Sequence, residues 1–133
     1  MRQLWYGSPL YQAVVVNVRD RVDFALERMA KSQSVDELTG RLDEAADTVE
    51  DTANDLDDTG VAEGFEDETD ELVEELHKFS SELAGTAATL RDPTFADVLP
   101  TLRNLSFKQW DVVNRILTDL DEQGIDVEPL ARY

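Results

Sequence analysis

The chain has 133 residues, with 30 aspartates and glutamates against 12 lysines and arginines, and no cysteine. That length fits one domain able to bury roughly two thirds of its unfolded surface, and the absence of thiols excludes a disulfide framework or a cysteine-ligated metal. The longest unbroken apolar run, Ala13–Val16, is far short of the ~20 residues a membrane span requires. The first residues show no basic-then-apolar export pattern, so the expected location is the cytoplasm, or a particle assembled there.

The net charge of −18 combines an excess of Asp over Glu, 17 to 13, with an excess of Arg over Lys, 9 to 3. This is the composition expected of a salt-adapted, halophilic proteome. At molar salt the Debye length shrinks to about 3 Å, so surface carboxylates stop repelling one another while still holding water and cations. The charge is unevenly distributed. Residues 1–33 carry +2, residues 34–75 carry −17 and residues 76–133 carry −3. Most acids in the middle segment therefore read as a solvated face.

The first helix is expected over about 9–32. Ser8 is placed to cap it, and Pro9 suits a first helical position, where its missing N–H costs nothing. Tyr11, Val18 and Ala25 interleave with Val15, Val22 and Met29 at 3-4 spacing, with Val14 and Leu26 widening the stripe. The run YQAVVVNV is rich in β-branched residues, but the spacing continues through RDRVDFALERMAKS, longer than strands run. A second helix, about 34–58, opens on the capping box Ser34 and Glu37. Its seam is Leu38, Leu42, Ala45, Val49, Thr52 and Leu56, and Gly60 is placed to end it.

The third helix, about 62–91, has the strongest periodicity. Phe65, Leu72, Phe79 and Thr86 form one row, and Thr69, Leu76, Leu83 and Leu90 the other. It stops before Asp92-Pro93, because the residue preceding proline disfavours helix. Gly85 reads as a close approach or a weak point. Short helical turns over 93–105 direct Phe95, Val98, Leu99, Leu102 and Leu105 inward. Ser106 and Gln109 form a second capping-box candidate for a helix over 106–123, with Trp110, Val113, Ile116, Leu117 and Leu120 apolar and Gly124 at its end. The expected fold is all-α: a small uneven bundle with a long antiparallel helical hairpin (about 34–91) as a projecting acidic arm.

One stretch matches a metal-site template. In DLDDTGVAEGFE, residues 55–66, Asp55, Asp57, Thr59, Gly60 and Glu66 occupy the first, third, fifth, sixth and twelfth places of a calcium loop. Ala62 stands where that loop usually needs a branched apolar residue. Asn54 precedes it, Glu68, Asp70 and Glu71 crowd its exit, and no second copy exists to pair with it. The stretch reads as a helix–helix turn in an acid-rich arm.

No catalytic residue is assigned. General acid–base carboxylates need one partner moved into an apolar pocket, whereas the seams carry no Asp or Glu. His77 is the only histidine and flanks the seam at Leu76, which suits a rim residue. The six glycines are scattered, so no phosphate loop is formed. Nucleic-acid contact needs a basic face, and the arginines of the first helix alternate with Asp20, Asp23 and Glu27, which can pair with them or leave them to the acidic second helix. Trp5, Tyr6 and Tyr133 read first as the monomer's own packing, with anchors on another subunit as the alternative.

The sequence points to a non-enzymatic structural or interaction subunit of a multi-subunit assembly from a salt-adapted organism, with a virion component (connector, tail or capsid-associated) as one instance. The expected partners are proteins, in a homo- or hetero-oligomer, with no cofactor, no nucleic acid and no membrane span. One alternative is a soluble regulatory or adaptor protein binding a cellular partner through the hairpin. A second is a calcium-responsive protein using the 55–66 loop.

Overall fold

The computed structural model describes residues 4–58, 64–91 and 107–130, with side chains from residue 10 onward. Among these residues the chain is all-α: α1 (Leu4–Ala30), α2 (Val35–Asp58), α3 (Glu66–Arg91) and α4 (Lys108–Glu122). The short turns expected over 93–105, with Phe95, Val98, Leu99, Leu102 and Leu105, lie outside the described residues.

The α2–α3 pair is antiparallel. Arg91 meets Asp43, the Ser80 hydroxyl donates to the Ala46 carbonyl at 2.7 Å, and His77 reaches Glu50 at 2.9 Å. Residue numbers rise on one helix as they fall on the other. Between them Leu42, Val49 and Leu56 pack with Leu72, Leu76, Phe79 and Leu83, all buried. Burying each such side chain is worth about 1.5–3 kcal/mol. Small residues, Ala45, Ala46 and Ala53, share the α2 face and let the backbones approach. The expected close approach at Gly85 is absent, since nothing stands within 4 Å of where its Cβ would be.

Ser34 caps α2 as the sequence suggests: its hydroxyl accepts the Glu37 amide at 3.1 Å. The reciprocal arm shifts by one residue, the Glu37 carboxylate accepting the Gln33 amide at 3.5 Å while also pairing with Arg41. The other helix start differs from expectation. α1 continues upstream through Ser8 and Pro9 to Leu4. A proline near the start removes only one ladder donor, so a Ser-Pro pair permits a helix start without requiring one.

The hairpin does not stand free. α1 runs antiparallel to α2, with Arg28–Glu44 at 3.4 Å near the base and Arg21–Asp55 at 2.8 Å further along. It continues to the far end, where the Tyr11 and Phe65 rings stack at 5.0 Å and the Tyr11 hydroxyl lies 2.7 Å from Thr69 Oγ1. Thr69 already donates to the Phe65 carbonyl, so Tyr11 is the donor between them. The apolar row Tyr11, Val15, Val18, Val22, Ala25 and Leu26 is buried along this length, and an exposed arm would have left it in water.

α4 closes the bundle through contacts distant in sequence. Phe107 packs tilted against Phe79 at 6.0 Å. The Glu82 carboxylate of α3 accepts the Lys108 and Gln109 amides, each at 3.1 Å, so the first turn of α4 is capped from a neighbouring helix. Phe107 is the N-cap residue and offers no side-chain cap, which displaces the start from Ser106. Gly124, at φ +100°, ends α4. Its amide bonds the Asp121 carbonyl and the Ile125 amide bonds the Leu120 carbonyl, the paired bonds of a Schellman stop, with both Ile125 and Leu120 buried.

That stop sends the chain back along the bundle as a strap. Ile125, Val127 and Leu130 are buried. The Asp126 amide bonds Gln12, Arg19 donates twice to the Pro129 carbonyl at 3.1 and 2.9 Å, and Asn114 grips Leu130 through N–H and C=O at 2.6 and 3.3 Å. The strap thus ties α1 to α4.

Two measurements test this packing. Asn114→Ala is expected to cost about 1–3 kcal/mol by unpairing two backbone groups of Leu130, with amide exchange across 125–130 accelerating before that of α2 and α3. Burial pushes the Tyr11 phenol above its ordinary 10.0; the Thr69 bond opposes this, and Glu68 and Glu66 add to it. The unfolded chain therefore loses this proton first, and the contribution is complete below pH 10 and lost as pH rises toward the folded value. Tyr11→Phe should cost about 1 kcal/mol at pH 7, and its deficit in melting temperature should close above pH 10.

Candidate functional site

Among the described residues no charged side chain is buried. The buried polar groups are Thr39, Thr52, Thr69 and Ser80, and each hydroxyl donates to a backbone carbonyl at 2.6–2.7 Å. These hydroxyls satisfy the core internally and present nothing to a ligand. His77 is a rim residue, part-exposed and facing Glu50.

The calcium-template residues are only partly described, because Thr59 and its neighbours through Glu63 lie outside the described residues. Asp55 and Asp57 belong to α2, which remains helical to Asp58. Two residues apart on a helix point about 160° apart, so these carboxylates diverge where a calcium loop needs its first and third ligands to converge. Asp55 pairs instead with Arg21. Glu66 folds back so that its carboxylate accepts the Gly64 amide at 3.1 Å, with Gly64 at φ +88°. The template match rested on residue types, and the continuing helix gives them a different geometry. Among the described residues no group of three or more ligating side chains converges, and no helix is long and apolar enough to cross a membrane.

The charge pattern does have a structural outcome. The cations of α1 and of the residue that follows it pair locally, Arg19–Asp23 at 3.7 Å and Lys31–Glu27 at 2.8 Å, and across to α2 through Arg21 and Arg28. Exposed pairs of this kind contribute about 0–1 kcal/mol each, so their role is orientation of α1 against the acidic hairpin more than cohesion.

The surface feature that sequence reasoning missed is the outward side of α1. Leu10 and Phe24 are 61% and 60% exposed and are the exposed large apolar residues among those described. They lie fourteen residues apart, two heptads, so they share one side of the helix about 21 Å long. Ala13 and Asn17 stand exposed between them. The Arg28 guanidinium lies 5.9 Å above the Phe24 ring, and a groove of about 320 Å³ opens beside it toward Arg41, Glu44 and Asp47 of α2. The available signal was an apolar pair out of phase with the buried stripe. The proposed anchors Trp5, Tyr6 and Tyr133 have no described side chains.

The loop geometry makes a direct prediction. Glu66→Gln should lower stability by about 0.5–1 kcal/mol through loss of a charged cap. Calcium and an equal ionic strength of sodium chloride should shift the melting temperatures of wild type and variant alike. A calcium-specific gain present in wild type and absent in the variant would restore the metal reading.

Comparison with protein-family models, with curated proteins and with solved structures returns no match to this chain.

Proposed function

We propose that the chain is a non-enzymatic structural or interaction subunit of a multi-subunit assembly in a salt-adapted organism, a virion component (connector, tail or capsid-associated) being one instance. The observation that supports this reading is the outward row of α1. A protein carrying −18 keeps two large apolar side chains, Leu10 and Phe24, in water on one face. Isolated apolar residues on a surface are ordinary, but these two are aligned at heptad spacing on a helix whose opposite side is already in the core. Contact with another protein surface is the means by which such a row leaves water.

The remainder of the surface suits a different task. The acids of α2 and α3 hold hydration and cations and repel indiscriminate neighbours. A subunit of this design is kept soluble by its hairpin and docked by α1. The regulatory alternative, in which the hairpin carboxylates bind a basic partner, makes the opposite assignment of the two surfaces.

Isolation from the producing host in molar salt decides between them. The expected mass is several times the 15.0 kDa of the chain, with companions in fixed ratio, and the double variant Leu10→Asp, Phe24→Asp should return the chain to low mass while its helical content is unchanged. A wild-type chain found only as free monomer would rule out the assembly role. A complex that survives the double variant but dissolves when hairpin acids are neutralised would favour the adaptor.

A further inference from the structure

The strap is held in a way that a second copy of this chain can reproduce. We propose that its seat between α1 and α4 is a site for an extended peptide, filled in the monomer by the chain's own residues 125–130 and open to the same segment of a second copy, so that two chains exchange straps about a two-fold axis. This goes beyond the docking role of the outward α1 row and uses another side of that helix. Gln12 and Arg19 lie roughly 160° around α1 from Leu10 and Phe24.

α1 packs chiefly on α2 and α4 on α3, and the strap bridges the two pairs. Along it Ile125, Val127 and Leu130 are buried while Asp126, Glu128 and Pro129 are exposed. Five hydrogen bonds join it to Gln12, Arg19 and Asn114, and every one of them ends on strap backbone. Burying spaced side chains while polar groups read the main chain is how proteins take up extended peptides. Nothing in this recognition depends on the strap belonging to the same chain as its seat. A second copy supplies the identical segment.

The hinge is Gly124. Its φ of +100° folds the strap back on the bundle, with the Gly124 and Ile125 amides bonded to the Asp121 and Leu120 carbonyls. Turning this one residue to an extended conformation swings the strap outward as a unit and leaves the four helices in place. Six extended residues reach about 20 Å. Each strap contact given up in the monomer is remade across the dimer, so the balance between them is set by the hinge and by association. In the monomer the strap meets its seat at an effective concentration on the order of 1 mM, which puts the wild-type dimer in that concentration range. Exchange also draws together Asp119, Asp121 and Glu122 of both copies, since they adjoin the hinge. Screening at molar salt therefore favours it.

Gly124→Val tests the hinge. A Cβ at this position would meet nothing within 4 Å, so the change penalises only the positive φ of the folded-back strap, whereas valine suits an extended hinge. The full-length chain is studied by sedimentation equilibrium from 1 to 500 μM at 0.15 and 2 M sodium chloride. The variant is expected to melt lower than wild type as a dilute monomer, yet to dimerise with a Kd at least tenfold lower, because each dimer relieves two hinges, and to do so more strongly at 2 M. A variant that melts lower and stays monomeric at every concentration and salt has merely frayed its strap, which would overturn the proposal. A second measurement needs no hinge variant. The Asp126 amide bonds Gln12 and the chain has no cysteine, so Gln12→Cys and Asp126→Cys chains are mixed at 500 μM with a short bis-maleimide. Irreversible trapping accumulates even a minor exchanged population, and a cross-linked dimer containing one of each chain is expected. Cross-linking no greater in the mixture than in either chain alone would also overturn the exchange. The Leu10→Asp, Phe24→Asp background separates the two readings. Exchanged dimers persist in it, whereas a dimer abolished by those changes belongs to the outward α1 row and removes strap exchange while leaving the docking role intact.

Discussion

The apolar seam between α2 and α3 carries the fold, because it must hold together the two most strongly repelling segments of the chain. Residues 34–75 contain one arginine and eighteen acids, and those acids line helices that run side by side. Against this stand Leu42, Val49 and Leu56 from one helix and Leu72, Leu76, Phe79 and Leu83 from the other. Seven side chains at about 1.5–3 kcal/mol each outweigh surface ion pairs worth about 0–1 kcal/mol each. The carboxylates do not cement this protein. They are tolerated by it, and more easily as screening shortens their reach.

α1 makes that tolerance workable. Its inner row completes the core from Val22 to Tyr11, and its arginines supply nearby positive charge to the outer edge of α2. The rest of the bundle then closes around α1 by polar contacts in place of a second thick seam. Gln12 and Arg19 hold the strap, Asn114 holds it from the other side, and Glu82 caps α4. Each of these bonds satisfies a backbone group that would otherwise be orphaned at a helix end or in an extended segment. Stability is therefore graded along the molecule: deepest where leucines interlock, shallower where single side chains grip the strap.

How much of this the sequence announced depends on the range of the interaction. The buried rows of α2 and α3 were readable because a helix repeats its environment every 3.6 residues, so Leu42, Val49 and Leu56 declare one face by spacing alone. The Ser34 cap was readable because its partner is three residues away. The Glu82 cap lies 26 residues from Lys108 and the Arg19 grip 110 from Pro129, and no local pattern encodes either. Ser8-Pro9 misled for the opposite reason: it is a sound local signal overridden by continued helix upstream. The 55–66 stretch shows the same limit, since residue types fixed a template while the helical path of Asp55 and Asp57 fixed their divergence. Leu10 and Phe24 were legible in principle, but an apolar pair on the wrong side of a helix becomes meaningful only once the right side is known to be filled.

The acidic surface also bears on recognition. A uniformly polar protein must distinguish partners by attractive detail, whereas a chain at −18 rejects most acidic neighbours by repulsion before any contact forms. That rejection extends to other copies of the hairpin, which carry the same charge. What remains approachable is the part of the surface where charge is lowest, and in this molecule that part is a helix whose inner side is already committed to the core. Any interface there inherits a rigid platform, because displacing α1 would expose Tyr11, Val15 and Val22. The cost of ordering that face has thus been met by folding, a cost that a flexible segment of the same composition would still have to meet on contact.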